Sequence, residues 1–206
     1  MKAGNATNQN SKTFKYPRDE RKTTNYRAAI LVFLAVSSLL ILFLLKQNNS
    51  YLNYSPLKTG LPAPDFTFAG LDGKMVSLSD YRGHIVLVNV LATWCPPCVD
   101  EMPSMERLYK ELKGENFEIL AVSIDALGTK AVAPFMKKYN LSFPALMDPG
   151  GAIKTLYQTT GVPESFIVNQ KGILINKIIG PRDWATPEII GFFRDLLQKP
   201  STRKDI

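Results

Sequence analysis

Apolar positions along this chain fall into distinct regimes. Over residues 1–27 large apolar side chains are sparse and aperiodic, which predicts a polar, disordered tail. Ala28 to Leu45, "AAILVFLAVSSLLILFLL", is an uncharged run of eighteen residues broken only by Ser37 and Ser38. Residues 46–60 read as a polar stalk. From "LPAPDFTF" onward, residues 61–199, short apolar runs and helical spacings succeed one another as in a compact α/β domain. Residues 200–206 form a polar C-terminal tail, and no internal repeat is visible.

Within the domain, Phe66-Thr67-Phe68 and "KMVSL" alternate on either side of "LDG", so Asp72-Gly73 predicts a hairpin turn. "HIVLVNVLA" is a continuous, β-branched run, as expected of a central strand buried on both faces. Beyond it Cys98, Met102, Met105, Tyr109 and Leu112 recur at helical spacing until Gly114, a helix stop. "FEILAVSI" predicts a second buried strand, and "KAVAPFMKKY" a helix with Pro134 in its first turn. Phe143 to Met147 suits an extended segment and "AIKTLYQ" a short helix. "SFIVN" and "ILINKII" form a hairpin across Gln170-Lys171-Gly172. The last helix starts with Thr186 as N-cap, Pro187 as first residue and Glu188 by the positive end of the dipole. The expected fold is α/β: a mixed central sheet flanked by helices, with an extra N-terminal β-hairpin.

The net charge of +7 is unevenly spread. Residues 1–27 carry seven Lys/Arg against Asp19 and Glu20, and the rest of the chain has eighteen basic and sixteen acidic side chains. A near-neutral domain lacks the basic footprint of a nucleic-acid binder. As a helix, Ala28–Leu45 would span about 27 Å, close to the about 30 Å hydrocarbon core of a bilayer. One transmembrane helix preceding the domain is therefore expected. A cleaved signal peptide is the competing reading, but the run is long for one and "KQNNSYLNY" follows it rather than a small-residue cleavage site. The Lys/Arg excess before the run places the N-terminus in the cytoplasm and the domain outside.

Both cysteines of the chain lie in "LATWCPPCVDEMP". Cys95 falls where the buried strand ends and a helix begins, so backbone N–H groups and the helix dipole favour its thiolate. Cys98, one turn on and on the same face, can capture a mixed disulfide. Three other chemistries compete. Zinc would need about two more ligands, and the chain has one histidine, His84. A purely structural disulfide would close too small a loop to constrain the unfolded chain much. A peroxide-reducing cysteine of the peroxiredoxin type has a Pro and a Thr at fixed positions before it, whereas Ala92 stands three before Cys95.

"WCPPC" with Pro103 resembles the active-site helix of the thioredoxin superfamily, and "GVPESF" its cis-proline loop. "LPAPDFTFAGLDGKMVSLSDYRG", "VNVLATWCPPCVDEMP" and "GVPESFIVNQKGIL", in this order, resemble membrane-anchored thiol–disulfide oxidoreductases of the TlpA/ResA type and the cytochrome c maturation reductase DsbE/CcmG. The resemblance covers roughly residues 60–198. It implies a thioredoxin-like fold and a protein-disulfide reductase whose redox centre is its own Cys95/Cys98 pair, with no other cofactor and no metal. Cys95 would be the nucleophile and Cys98 the buried partner. Trp94, Pro96, Pro97, Val162, Pro163 and Glu164 would form the substrate side, with Pro163 cis against the disulfide and the Val162 backbone pairing with an extended client. For Trp94, simple packing competes with a shielding role. Asn89 stands where thioredoxin has a buried aspartate and cannot titrate. Glu101 matches the TlpA/ResA carboxylate and would supply acid–base chemistry, and Glu164 resembles the DsbE loop glutamate; a role-free surface glutamate is the alternative for each. Implied partners are protein disulfides, as in apocytochrome c, and a membrane electron donor of the DsbD/CcdA type. The implied location is a bacterial inner membrane, with the redox domain periplasmic or otherwise extracytoplasmic. A thiol peroxidase and a non-catalytic thioredoxin-fold interaction module are the alternative functions.

Overall fold

The computed structural model describes residues 20–48 and 57–198, which belong to two separate compact units. The first unit contains helix α1, Glu20–Asn48. Its 29 residues enclose the apolar run and begin eight residues before it, so residues 20–27 are helical rather than an irregular tail. Once a helix is nucleated, each further residue gains a hydrogen bond at little entropic cost. Residues 1–19 of the expected tail, 49–56 of the expected stalk and the 200–206 tail lie outside the described residues. Apolar side chains along α1 are exposed, Phe33 to 72%. Ser37 and Ser38 donate their hydroxyls to the Leu34 and Ala35 carbonyls at 3.0 and 2.9 Å. Among the residues whose side chains are described (Tyr26 and 28–43 of α1), no helix is long and apolar enough to cross a membrane.

The second unit is built on a seven-stranded mixed sheet in the order β2-β1-β5-β4-β3-β6-β7. The strands are β1 Thr67–Gly70, β2 Met75–Ser77, β3 Ile85–Leu91, β4 Phe117–Ser123, β5 Ala145–Met147, β6 Glu164–Val168 and β7 Leu174–Ile179. The helices are α2 Pro96–Glu111, α3 Thr129–Lys138, α4 Ala152–Leu156 and α5 Pro187–Gln198. β3, β4 and β5 run parallel, whereas β6 is antiparallel to β3 and β7 to β6. The predicted front hairpin is present, with Thr67 opposite Ser77. β1 then joins the sheet edge against β5.

β3 is buried along its whole length. Because strand side chains alternate, Ile85, Leu87 and Leu91 enter one core with Met102, Met105 and Leu108 of α2, Phe135 of α3 and Phe193 of α5. Val86, Val88 and Val90 enter a second core with Tyr157 and Phe166. Asn89, on the odd-numbered face, therefore looks towards α2. Burial on both faces is what permits a continuous apolar strand.

Two boundaries differ from the sequence expectation. The domain starts before residue 61: Leu57 packs on the second core, and the Gly60 N–H donates to the Leu174 carbonyl at 2.8 Å. Pro134 is the sixth residue of α3, not part of its first turn. Gly128 provides the N-cap at φ 50°, a left-handed value that glycine adopts without penalty, so the helix begins earlier. At the β6–β7 turn, Gly172 has φ 78°, a left-handed value that favours glycine, and a Cβ there would stand 2.5 Å from Arg82 Cζ, so the flexible end of that side chain would have to shift.

Candidate active site

Cys95 is the N-cap of α2, and Pro96 and Pro97 are its first two residues, where the missing N–H of proline is tolerated. Cys95 and Cys98 are joined in a disulfide with Cα atoms 5.3 Å apart. Cys95 is 5% exposed and Cys98 has no exposed surface, the asymmetry expected of an attacking and a resolving sulfur. The Cys98 N–H donates to Cys95 Sγ at 3.3 Å. The Val99 N–H is taken by the Cys95 carbonyl at 3.1 Å. Pro96 and Pro97 are exposed beside the disulfide, and Trp94 is 67% exposed on its other flank, not packed in the core.

The Val162–Pro163 peptide is cis, and the Val162 carbonyl oxygen stands 3.5 Å from Cys95 Sγ. Trp94, Ile124, Lys154, Thr160 and Val162 help to line a groove of about 180 Å³ beside the disulfide. Sequence reasoning thus brought the disulfide, the cis-proline loop and the tryptophan to one place.

Both glutamates are buried, which removes the role-free surface reading for each. Glu101 is 2% exposed. It sits three residues after Cys98 on the same helix face. Asn89 Nδ2 donates to its Oε1 at 2.9 Å; Trp184 Nε1 and the Arg182 N–H donate to its Oε2 at 3.0 and 3.2 Å. Burial pushes its carboxyl above the usual range, against the lowering effect of those donors. Outside it lies an open depression of about 360 Å³ rimmed by Asp100, Arg107, Arg182 and Asp183.

Glu164 occupies a different place. As the first residue of β6 it points, by alternation with Ser165, to the sheet face opposite Asn89. It has no exposed surface, so it cannot touch a client directly as the sequence reading had it. Its Oε1 accepts from the Thr160 N–H and hydroxyl at 2.8 and 2.6 Å, and Lys177 Nζ lies 3.0 Å from Oε2 as an ion pair. Burial raises its pKa, but Thr160 and Lys177 outweigh that and hold the carboxyl below the usual range. Glu164 therefore fixes the loop that carries Pro163 and stays ionised.

Two contributors escaped the sequence reading. Asp125, 3% exposed, accepts from the Thr93 N–H and hydroxyl at 2.9 and 2.7 Å and from Ser123 Oγ at 2.7 Å, tying down the loop before Trp94 and Cys95. A polar residue directly after the apolar run of β4 was the available signal. Trp184, the other, had none.

Comparison with known proteins agrees with this geometry. The AhpC/TSA family matches residues 59–177. The thiol-disulfide oxidoreductase ResA of Bacillus thuringiensis subsp. konkukian is 39% identical over 124 residues, 60% of this chain and 71% of that protein. ResA of Oceanobacillus iheyensis is 34% identical over 169 residues, 80% of this chain and 84% of that protein. The crystal structure of a thiol:disulfide interchange protein of the thioredoxin family from Chlorobium tepidum superposes with a TM-score of 0.59 at 28% identity, covering 69% of this chain and 99% of that one. The fold is thioredoxin-like, and an enzymatic role replaces the non-catalytic module. The chain belongs to the AhpC/TSA family, as a thioredoxin-like thiol–disulfide oxidoreductase.

Proposed function

We propose that this oxidoreductase reduces protein disulfides on the extracytoplasmic side of a bacterial membrane, to which residues 28–45 anchor it. The observation that carries the reductase reading is Glu101, a buried carboxyl of raised pKa one turn from the resolving cysteine. A carboxyl moved towards neutrality is a competent partner for a thiol proton. In the reduced enzyme, the Cys95 thiolate attacks one sulfur of a client disulfide; that bond breaks and the second client sulfur leaves as thiolate. Cys98 then gives its proton to Glu101, and its thiolate attacks Cys95 Sγ. The Cys95–client bond breaks and the first client sulfur leaves as thiolate, taking a proton from water. Two electrons have passed from the Cys95/Cys98 dithiol to the client, and Glu101 returns its proton to solvent. A dithiol of a membrane donor of the DsbD/CcdA type restores the pair. No further cofactor is needed.

The client binds as an extended segment along the backbone of Val162, in the manner of an added strand, with Trp94, Pro96, Pro97 and Pro163 around the reacting sulfur. Apocytochrome c, whose cysteines must be reduced before haem attachment, is a fitting client. Anchoring is supported by the uncharged Ala28–Leu45 run within α1 and by serine hydroxyls satisfied by the helix's own carbonyls. The seven Lys/Arg that precede the run orient it with the N-terminus in the cytoplasm. Nucleic acid has no place in this reading. The test is insulin-type disulfide reduction by the reduced protein. Peroxide consumption at enzymatic rates without disulfide reduction would replace it by a thiol peroxidase.

A further inference from the structure

The segment from Gly180 to Ala185, between β7 and α5, crosses α2 one turn beyond the cysteines. Ser104 Oγ donates to the Glu101 carbonyl at 2.8 Å and accepts from the Trp184 N–H at 3.1 Å. The Trp184 indole, 1% exposed, directs its N–H to Glu101 Oε2 at 3.0 Å. An indole N–H only donates and points in one fixed direction. Here it meets the carboxylate of the active-site helix, and the same oxygen takes the Arg182 N–H.

We propose that Trp184 is a positioning residue for thiol–disulfide exchange: its indole N–H holds the Glu101 carboxylate in place one turn from Cys98 and sets the pH at which that carboxylate takes the Cys98 proton. The inference rests on Glu101 being the proton acceptor of the cycle above. Groups facing Glu101 are Asn89 from β3, Trp184 and the Arg182 backbone from the loop, and Cys98 and Ser104 on its own helix. At the rim of the depression outside stand Asp100, Arg107, Arg182 and Asp183. Arg107 and Asp183 neutralise each other at 3.5 Å. The N–H groups favour the ionised carboxyl and burial opposes them. Removing the indole donor leaves burial less opposed, so the pKa of Glu101 moves up, never down.

The chain has two tryptophans, and Trp94 is exposed, so Trp184 can be read separately. In full-length Trp94→Phe protein, Trp184 emission should change through a pH transition lying above the ordinary carboxylate range, and Trp94→Phe/Glu101→Gln should lack it. In the pH profile of disulfide reduction, Trp184→Phe should raise the Glu101 inflection by about one pH unit, the effect of one hydrogen bond to a charged group. In a Glu101→Gln background Trp184→Phe should add no shift, whereas a packing defect would act in both. The emission titration keeps the native indole and so stands even where Trp184→Phe does not fold. Flat emission with an inflection moved by Glu101→Gln but not by Trp184→Phe overturns the Trp184 assignment alone. A profile unmoved by Glu101→Gln sinks the proton-acceptor reading, and the positioning role with it.

Discussion

Asn89 Nδ2 donates to Glu101 Oε1 and also to Ser165 Oγ, both at 2.9 Å, while Asn89 Oδ1 has no hydrogen-bond partner among the described residues. A carboxyl that cycles between ionised and protonated needs a donor in one state and an acceptor in the other. A side-chain amide carries both on one terminal bond. Rotation about that bond would present Oδ1 to a protonated Glu101, whereas an aspartate at this position would add a second buried negative charge.

Stability should record this pair. Burial raises the Glu101 pKa in the fold above its value in the unfolded chain. The folded state then keeps a proton that the unfolded state has released, and stability falls as pH rises. The contribution is complete below the ordinary carboxylate range and disappears as pH passes the folded pKa. Denaturant unfolding at a series of pH values should show this decline in the wild type and a flatter curve in Glu101→Gln. Parallel curves would rule the coupling out.

The two sulfurs should behave unequally. Cys95→Ala should abolish turnover, because the sulfur that reaches the surface is lost. Cys98→Ala should halt the cycle at the mixed disulfide, visible as a client adduct that reductant releases. Free turnover by Cys98→Ala would mean that a second thiol-bearing molecule resolves the intermediate.

Asp125 should matter more than its distance from the sulfurs suggests. Asp125→Ala leaves Thr93 N–H, Thr93 Oγ1 and Ser123 Oγ without their acceptor, a loss of about 2–3 kcal/mol. Asp125→Asn keeps one acceptor oxygen and should lose roughly half as much. Urea unfolding measures both, and equal stability of wild type and Asp125→Ala would contradict the loop-clamp account.

Much of the fold is legible in the sequence because its elements announce themselves locally. β3 and β4 are predominantly apolar runs interrupted only by Asn89 in one and by Glu118 and Ser123 in the other, and Thr186-Pro187-Glu188 marks the start of α5, where the Ile189 N–H donates to Thr186 Oγ1 at 3.4 Å. The cysteine helix follows from spacing alone. What stayed hidden depends on long-range pairing. The resemblance marks Glu101 as an acid–base group, but only the alternation of β3, which turns Asn89 towards α2, shows what buries and holds Glu101. Trp184 reaches it across 83 positions, and Asp125 reaches Thr93 across 32. Glu164 stands beside Pro163 in sequence, yet the pleat of β6 sends its side chain to the other face of the sheet. The apolar pattern places Pro134 in the first turn of α3, whereas Gly128, at a positive φ of 50°, caps a helix that starts earlier than that pattern does.

The paired prolines bear on the potential. A thiolate at Cys95 is stabilised by N–H groups of the first turn of α2, and Pro96 and Pro97 have none to offer. Val99 N–H is committed to the Cys95 carbonyl, which leaves the Cys98 N–H at 3.3 Å as the first-turn donor to Sγ. The Val162 carbonyl oxygen, 3.5 Å from the same sulfur, sets a partial negative charge against a thiolate. Both features disfavour the ionised, reduced form and so lower the potential. We expect a value nearer thioredoxin's roughly −270 mV than DsbA's roughly −120 mV. Pro97→Ala should restore one donor, because an N-cap side chain accepts from the N–H of the second or third helical residue. A hydrogen bond to a charged sulfur is worth about 1.5 kcal/mol, so this variant should be about 30 mV more oxidising than wild type. Equilibration of both proteins with glutathione buffers measures the difference. A wild-type potential above about −180 mV, that of protein disulfide isomerase, would reverse the direction of electron flow argued above.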